Sequence, residues 1–201
     1  EMLSTNEWQR PMYFAVTIGS DYHLGLDPYL ELTGLAYRIT PERSADGRPR
    51  VNTEVMYENM LHKFKYGNMN VPGIYIDENT MRMCRTHRMM FMELAEALYN
   101  EGKHDKCLEV LDCAEEMLPG YNISYDYTSA TMAAYYYQLG EIEKANAIMT
   151  KVADNCAEYM EWGASLLKEQ HASAQSTLQH QMAILGYVLQ NFERYEQKEL
   201  F

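Results

Sequence analysis

The chain has 201 residues, 47% hydrophobic, 23% charged and 12% aromatic, which is enough apolar mass for a packed core and excludes a disordered, collagen-like or bare coiled-coil chain. Seventeen Lys and Arg against 29 Asp and Glu leave a formal net charge of −12, a field that repels phosphate backbones and anionic headgroups, so nucleic acid is not expected as a partner. The residues from Glu1 onward lack the basic and apolar regions of a signal peptide, and the chain reads as an excised or processed piece.

In chain order, Met12 to Ile18 follows Pro11, stops at Gly19 and predicts a buried strand. Asp27-Pro28 is a helix-start signal that predicts a short helix carrying Tyr29 to Leu32. Leu35 to Thr40 alternates between Gly34 and Pro41 like a second strand, and Glu42 to Arg50 is a loop. Asn52-Thr53 caps a helix predicted from Thr53 to about Lys65, with Met56, Met60, Leu61 and Phe64 on one side and Gly67-Asn68 at its end. Ile74-Tyr75-Ile76 suggests one more short extended piece. From Asn79 the period is helical, with breaks expected near Gly102, Pro119-Gly120, Gly140 and Gly163.

Gly102 and Gly140 recur at a spacing that holds one helix pair, and the tetratricopeptide pattern fits both copies. Its core positions fall on Phe91, Leu94, Ala95, Leu98, Cys107 and Leu111, closing with Pro119, and again on Ser129, Met132, Ala133, Tyr136, Ala145 and Met149. A third, partial copy is Met182, Leu185, Gly186 and Leu189, ending at Phe201 as a terminal cap. The expected fold is therefore mainly α: tetratricopeptide-like helical hairpins, an α-solenoid, over residues 79–201, with a small α/β N-terminal segment over residues 1–78. An irregular helical bundle is the alternative.

The run Asn6-Glu7-Trp8-Gln9-Arg10-Pro11-Met12-Tyr13-Phe14, then Gly34-Leu35-Ala36-Tyr37-Arg38-Ile39 with Pro41, Val51-Asn52, Tyr57 and Lys63-Phe64-Lys65-Tyr66-Gly67, carries a family resemblance. Together they resemble the soluble C-terminal region of a family of large bacterial multi-pass membrane proteins, formerly of unknown function. The membrane portion of that family is similar to protein O-mannosyltransferases of the polyprenol-sugar-dependent type. The resemblance implies a place on the periplasmic face of the inner membrane, attached through the parent's own transmembrane region. It also implies an accessory role, holding or recruiting a protein or glycan acceptor. In such transferases the catalytic acid and lipid-sugar site belong to the membrane region, so no catalytic residue carries over to this chain.

Chemistry of the chain's own is sparse. The histidines His23, His62, His87, His104, His171 and His180 show no two-histidine ligand spacing. Glu58 and His62, one turn apart, are a metal candidate weighed against an ordinary exposed i,i+4 pair, which is favoured. No nucleophile elbow, P-loop or dinucleotide fingerprint occurs, and neither metal nor cofactor is expected. Cys84, Cys107, Cys113 and Cys156 form no C-x-x-C pair and are expected as free thiols. The uncharged stretch from Ala172 to Phe192 is broken by Gln175, Gln179, His180, Gln181 and Gln190, so this part of the protein is not expected to span a membrane. Asn122-Ile123-Ser124 matches the glycosylation sequon by accident.

By the repeat pattern, the inner-groove positions are Met89, Met92, Glu96, Tyr99 and Asn100, then Tyr127, Ala130, Ala134, Tyr137 and Gln138. Tyrosine with amide neighbours suits sugars or peptides, since rings stack on C–H faces while amides hydrogen-bond. The candidate binding residues are thus Glu96, Tyr99, Asn100, Tyr127, Tyr137 and Gln138. Trp8 and Arg10, beside Tyr13, form a second patch, the alternative being that Trp8 only pins the N-terminal segment. The expected function is a non-catalytic interaction domain. A free-standing scaffold mediating protein–protein association is the alternative, and a hydrolase built on a carboxylate pair is a third reading.

Overall fold

Strand pairing, not helix propensity, organises the N-terminal third. The computed structural model describes residues 5–6 and 8–200, without the side chains of Lys168, Glu169, His171 and Lys198. Glu7, Phe201 and the His171 side chain, all used above, lie outside the described residues. The protein is mainly helical with a small N-terminal sheet. It divides into two compact units, the first comprising the chain up to Asn68 with Glu78–Cys113, the second Met69–Asp77 with the chain from Ala114 onward.

In the first unit, Tyr13–Ala15 (β1), Leu30–Leu32 (β2), Ala36–Ile39 (β3) and Arg50–Val51 (β4) form one sheet in the order β1-β3-β2-β4. β3 is antiparallel to β1 and β2, and β4 runs parallel to β2. The register places Tyr13, Arg38, Glu31 and Arg50 in one cross-strand row and Phe14, Tyr37, Leu32 and Val51 in the next. Because strand side chains alternate faces, the first row is polar and the second faces the core with Leu30 and Ile39.

Two expectations are corrected here. Met12 to Ile18 shrinks to the edge strand β1, on which Tyr13 is exposed because it lies in the polar row with Arg38 and Glu31. Pro28 opens a single 3-10 turn, Asp27–Tyr29, after which Leu30–Leu32 is a strand and not a helix. Leu30 and Leu32 are buried while Glu31 between them reaches the polar face, a period of two that a helix cannot produce.

Helix α1, Thr53–Tyr57, is capped by Asn52, whose Oδ1 accepts from Val55 N at 3.0 Å. It continues as a π-helix over Glu58–Lys63, closed by Phe64 N donating to Asn59 O, and so stops short of the expected Lys65. Asn59 Nδ2 donates to Thr33 O at 2.7 Å, tying this turn to the β2–β3 hairpin. Met56 and Met60 are fully buried. Helix α2, Glu78–Asn100, packs on α1 and β4.

Helix α3, His104–Met117, follows α2 after a turn. That turn and the one after helix α4, Tyr127–Gln138, share one construction. Gly102 N donates to Tyr99 O and Lys103 N to Leu98 O, and likewise Gly140 N to Tyr137 O and Glu141 N to Tyr136 O. Both glycines sit at positive φ, 73° and 84°, as the Schellman termination requires.

In the second unit α4 begins with a capping box, Asp126 Oδ1 accepting from Ser129 N at 3.2 Å while Asp126 N donates to Ser129 Oγ at 3.3 Å. Helices α5, Ile142–Ser165, and α6, Lys168–Arg194, pack on each other and on α4. All the core positions named for the two repeat copies are buried, an arrangement compatible with helical hairpins. All four cysteines are free thiols, three of them buried.

The break expected around Gly163 falls just after it, α5 ending at Ser165 with Leu166 N donating to Gly163 O; a Cβ at Gly163 would also come 2.5 Å from Leu178 Cδ2, so it is a point of close helix packing. Two further expectations are corrected in the second unit. The third copy is rotated off its expected face: Met182 is 61% exposed and Leu189 is exposed, while Ala174, Ile184, Val188 and Phe192 form the buried side. Ile74-Tyr75-Ile76 joins no ladder, and Tyr75 stands in solvent.

Candidate functional site

The segment between β1 and β2 is held by one inward side chain. His23 is 4% exposed; its Nδ1–H donates to Asp27 Oδ1 at 2.8 Å, and its ring lies 5.2 Å from Phe14 and 5.7 Å from Tyr37, centroid to centroid. Nε2 is buried without a hydrogen-bond partner among the described residues. With His23 turned inward, its neighbours Tyr22 and Leu24 project outward, 72% and 82% exposed. Burial pushes the Tyr37 phenol up, and the charges of Glu93 and Asp27 push it further. The arrangement is a clamp that fixes a short loop and leaves an aromatic and an aliphatic side chain in solvent.

The polar face of the sheet carries an ion-pair row. Arg50 Nε donates to Glu31 Oε1 at 3.1 Å, and its Nη2 reaches Thr40 Oγ1 at 3.3 Å and Glu42 Oε2 at 3.4 Å. Trp8 and Arg10 precede this sheet, Arg10 exposed and Trp8 about half exposed, so much of the indole remains open to contact.

On α2, Glu96 and Asn100 are exposed, and Tyr99 is partly covered by the His104 ring, stacked at 4.8 Å and 16°. Beside them Lys103 Nζ pairs with Glu101 Oε2 at 2.6 Å, and Thr53 Oγ1 donates to the same oxygen at 2.9 Å. Those bonds hold the Glu101 carboxyl below its ordinary range, although partial burial acts the other way. Tyr57 donates to Glu109, and Lys106 Nζ stands 4.9 Å above its ring. Burial, followed by the Glu109 contact, pushes the Tyr57 phenol up to about 12. These groups surround the turn Gly102 to Lys106, which borders a shallow concavity of about 320 Å³.

The second unit treats its expected binding residues unequally. Tyr127 is exposed, its ring 5.5 Å from that of Tyr187, and Gln138 is exposed. Tyr137 is 3% exposed, and Ala130 and Ala134 are buried as well, so this face is not the open groove anticipated. Tyr137 OH donates to Asn146 Oδ1 at 2.5 Å, and its ring stacks on Tyr195 at 4.4 Å and 11°. Burial and the neighbouring Tyr195 push its phenol up to about 12. The structure thus places Glu96, Tyr99 and Asn100 together on α2, leaves Tyr127 and Gln138 on the surface of α4, and encloses Tyr137.

Other candidates resolve into ordinary packing. Glu58 pairs with Lys63 at 3.8 Å and the His62 ring meets Tyr57 edge-on at 5.7 Å; among the described residues no three His, Cys, Asp or Glu side chains converge as metal ligands. Burial and then Glu96 raise the Glu93 carboxyl, but the two acids sit three residues apart on one helix, where they cannot flank a glycosidic bond from two sides. Asn122 Nδ2 donates to Met69 O at 2.8 Å and Val71 O at 2.7 Å, which occupies the sequon amide. No helix among the described residues is long and apolar enough to cross a membrane.

The sequence reading missed the clamp. Its signal was His23 and Asp27 at i,i+4 between Gly19 and Gly25, a spacing that says nothing of burial until Phe14 and Tyr37 close over the ring. Comparison with known families adds one finding: residues 1–58 match the family model described as TMEM260-associated domain 2. That span contains the whole sheet and the clamp. No curated protein and no solved structure matches the chain.

Proposed function

We propose that the chain is a non-catalytic interaction domain of a membrane protein, and that its N-terminal segment is the docking part. The observation that carries this is the coincidence of two features in residues 1–58: the match to a TMEM260-associated domain, and a loop clamped through His23 that holds Tyr22 and Leu24 out in solvent. Exposed large apolar groups on a fixed loop are suited to a pocket on a partner, where they anchor without a large ordering cost. In the finer reading the parent is a glycosyltransferase-like protein of the O-mannosyltransferase type. The domain then stands on the periplasmic face of the inner membrane, and its tetratricopeptide-like hairpins hold a protein or glycan acceptor. Glu96, Tyr99 and Asn100 with Trp8 and Arg10 are the surface groups suited to that acceptor.

The test is site-specific photo-crosslinking with benzoylphenylalanine at position 22 in intact cells, with position 151 on α5 as the control. The reading expects a crosslinked peptide from a membrane-embedded protein at position 22 and none at 151. Crosslinks at position 22 only to peptides of this chain, or equal yields at both positions, contradict it.

A second reading, a scaffold that associates with its own copies, is favoured by the exposed Tyr159, Trp162 and Leu167 around the α5–α6 turn. Sedimentation equilibrium showing only monomer at micromolar concentration removes it.

A further inference from the structure

Tyr137 is enclosed by the chain's own C-terminal segment, and the contacts are those of peptide recognition. The Tyr195 ring stacks on Tyr137 at 4.4 Å and 11°. Asn146 accepts from Tyr137 OH at 2.5 Å and passes its Nδ2–H to Gln197 Oε1 at 2.7 Å. Gln197 Nε2 turns back to Tyr195 O at 2.6 Å, which fixes ring and carboxamide as one unit. Asn146 spends its acceptor on Tyr137, so what it offers the segment is an N–H donor that calls for a carboxamide or other carbonyl oxygen.

The segment is also poised to leave. It follows α6 through the same termination seen after α2 and α4, with Glu196 N donating to Glu193 O and Gln197 N to Phe192 O. Where those two turns have Gly102 and Gly140, this one has Glu196, at φ 59°. A side chain in the left-handed region disfavours the closed turn by roughly fivefold or more relative to glycine.

We propose that Tyr137 and Asn146 form a peptide-binding site on the second unit, closed here by Tyr195 and Gln197, and that it takes an external segment carrying an aromatic ring and, two residues later, a carboxamide. The site does not depend on the membrane attachment proposed above. Trans binding requires the cis segment to lift away, so affinity is set by the strength of the cis clasp.

The test uses a fluorescein-labelled peptide with the sequence of residues 192–200 and fluorescence anisotropy against four forms of the full chain. Tyr195→Ala/Gln197→Ala opens the clasp and is expected to bind at least about tenfold tighter than the unaltered chain. Glu196→Gly relieves the turn, strengthens the clasp and is expected to bind about fivefold more weakly; since it replaces a strained residue by glycine, it keeps the test decisive even if the open variant folds poorly. Adding Asn146→Ala to the open variant should abolish binding, as should replacing both the tyrosine and the glutamine of the peptide by alanine. Equal affinity for the unaltered, open and Glu196→Gly forms overturns the proposal, and so does undiminished binding after Asn146→Ala.

Discussion

His23→Ala separates a clamp from an incidental buried histidine. The substitution removes a nearly fully buried ring that touches Phe14 and Tyr37, and one hydrogen bond to a carboxylate. Each ring contact contributes about 0.5–1.5 kcal/mol and a hydrogen bond to a charged group about 1.5–3 kcal/mol. Against these stands Nε2, buried without a partner among the described residues, whose removal returns about 1–3 kcal/mol. The net expectation is a loss of about 2–3 kcal/mol for His23→Ala. His23→Phe keeps the ring contacts, loses the bond and loses the orphaned nitrogen, so its cost should stay within about 1 kcal/mol. Asp27, partly open to solvent, hydrates in either variant. Urea unfolding followed by circular dichroism gives both numbers, and limited chymotrypsin cleavage at Tyr22 reports whether the loop loosens. Equal cost for the two variants, or a cost below about 0.5 kcal/mol for His23→Ala with Tyr22 cleavage unchanged, refutes the clamp.

Three more expectations concern titration and helix ends. Burial and Glu96 raise the Glu93 carboxyl, so its contribution to stability is complete below its unfolded value of 4.5 and is lost as pH rises through the folded value; Glu93→Gln should raise the urea midpoint at pH 7, with the gain vanishing below about pH 4.5. Tyr137 runs by the same sign at higher pH: its contribution holds below 10 and falls away toward about 12, so Tyr137→Phe should flatten the stability loss in that window, while costing about 1 kcal/mol at pH 8 through the bond to Asn146. Asp126→Ala removes the α4 capping box and should cost about 1 kcal/mol by urea denaturation, with Asp126→Asn nearly neutral.

The helical half was legible wherever a local rule decided the outcome. Gly102, Pro119 and Gly140 marked helix ends because each end is a local backbone event, and the two sets of core positions emerged because helix burial follows a fixed period. Leu30–Leu32 was not legible: Pro28 signals a helix start, and only pairing with β3 and β4 turns the segment into a strand. Gly163 marked the end of α5 to within two residues, whereas its second role, the close approach of Leu178 from another helix, was not legible. The third repeat copy failed because Leu185 and Leu189 mimic the pattern one position away from the buried Ile184 and Val188. Of the candidate site, Tyr127 is exposed on α4, whereas Tyr99 is half-covered by the His104 ring, a contact that helical spacing does not reveal. Tyr137 was placed correctly on its helix but not in its environment, since Tyr195, far along the chain, covers it. The clamp and the clasp share one cause of invisibility: each depends on a side chain whose role is set by tertiary neighbours.

The measurement that bears most directly on the central claim, attachment to a membrane protein, is the sequence of the same reading frame upstream of Glu1. The account predicts a continuous frame encoding a series of apolar spans of about 20 residues each. A signal peptide or a lipoprotein cysteine immediately upstream, with no such spans, would contradict it and leave the self-associating scaffold as the better description.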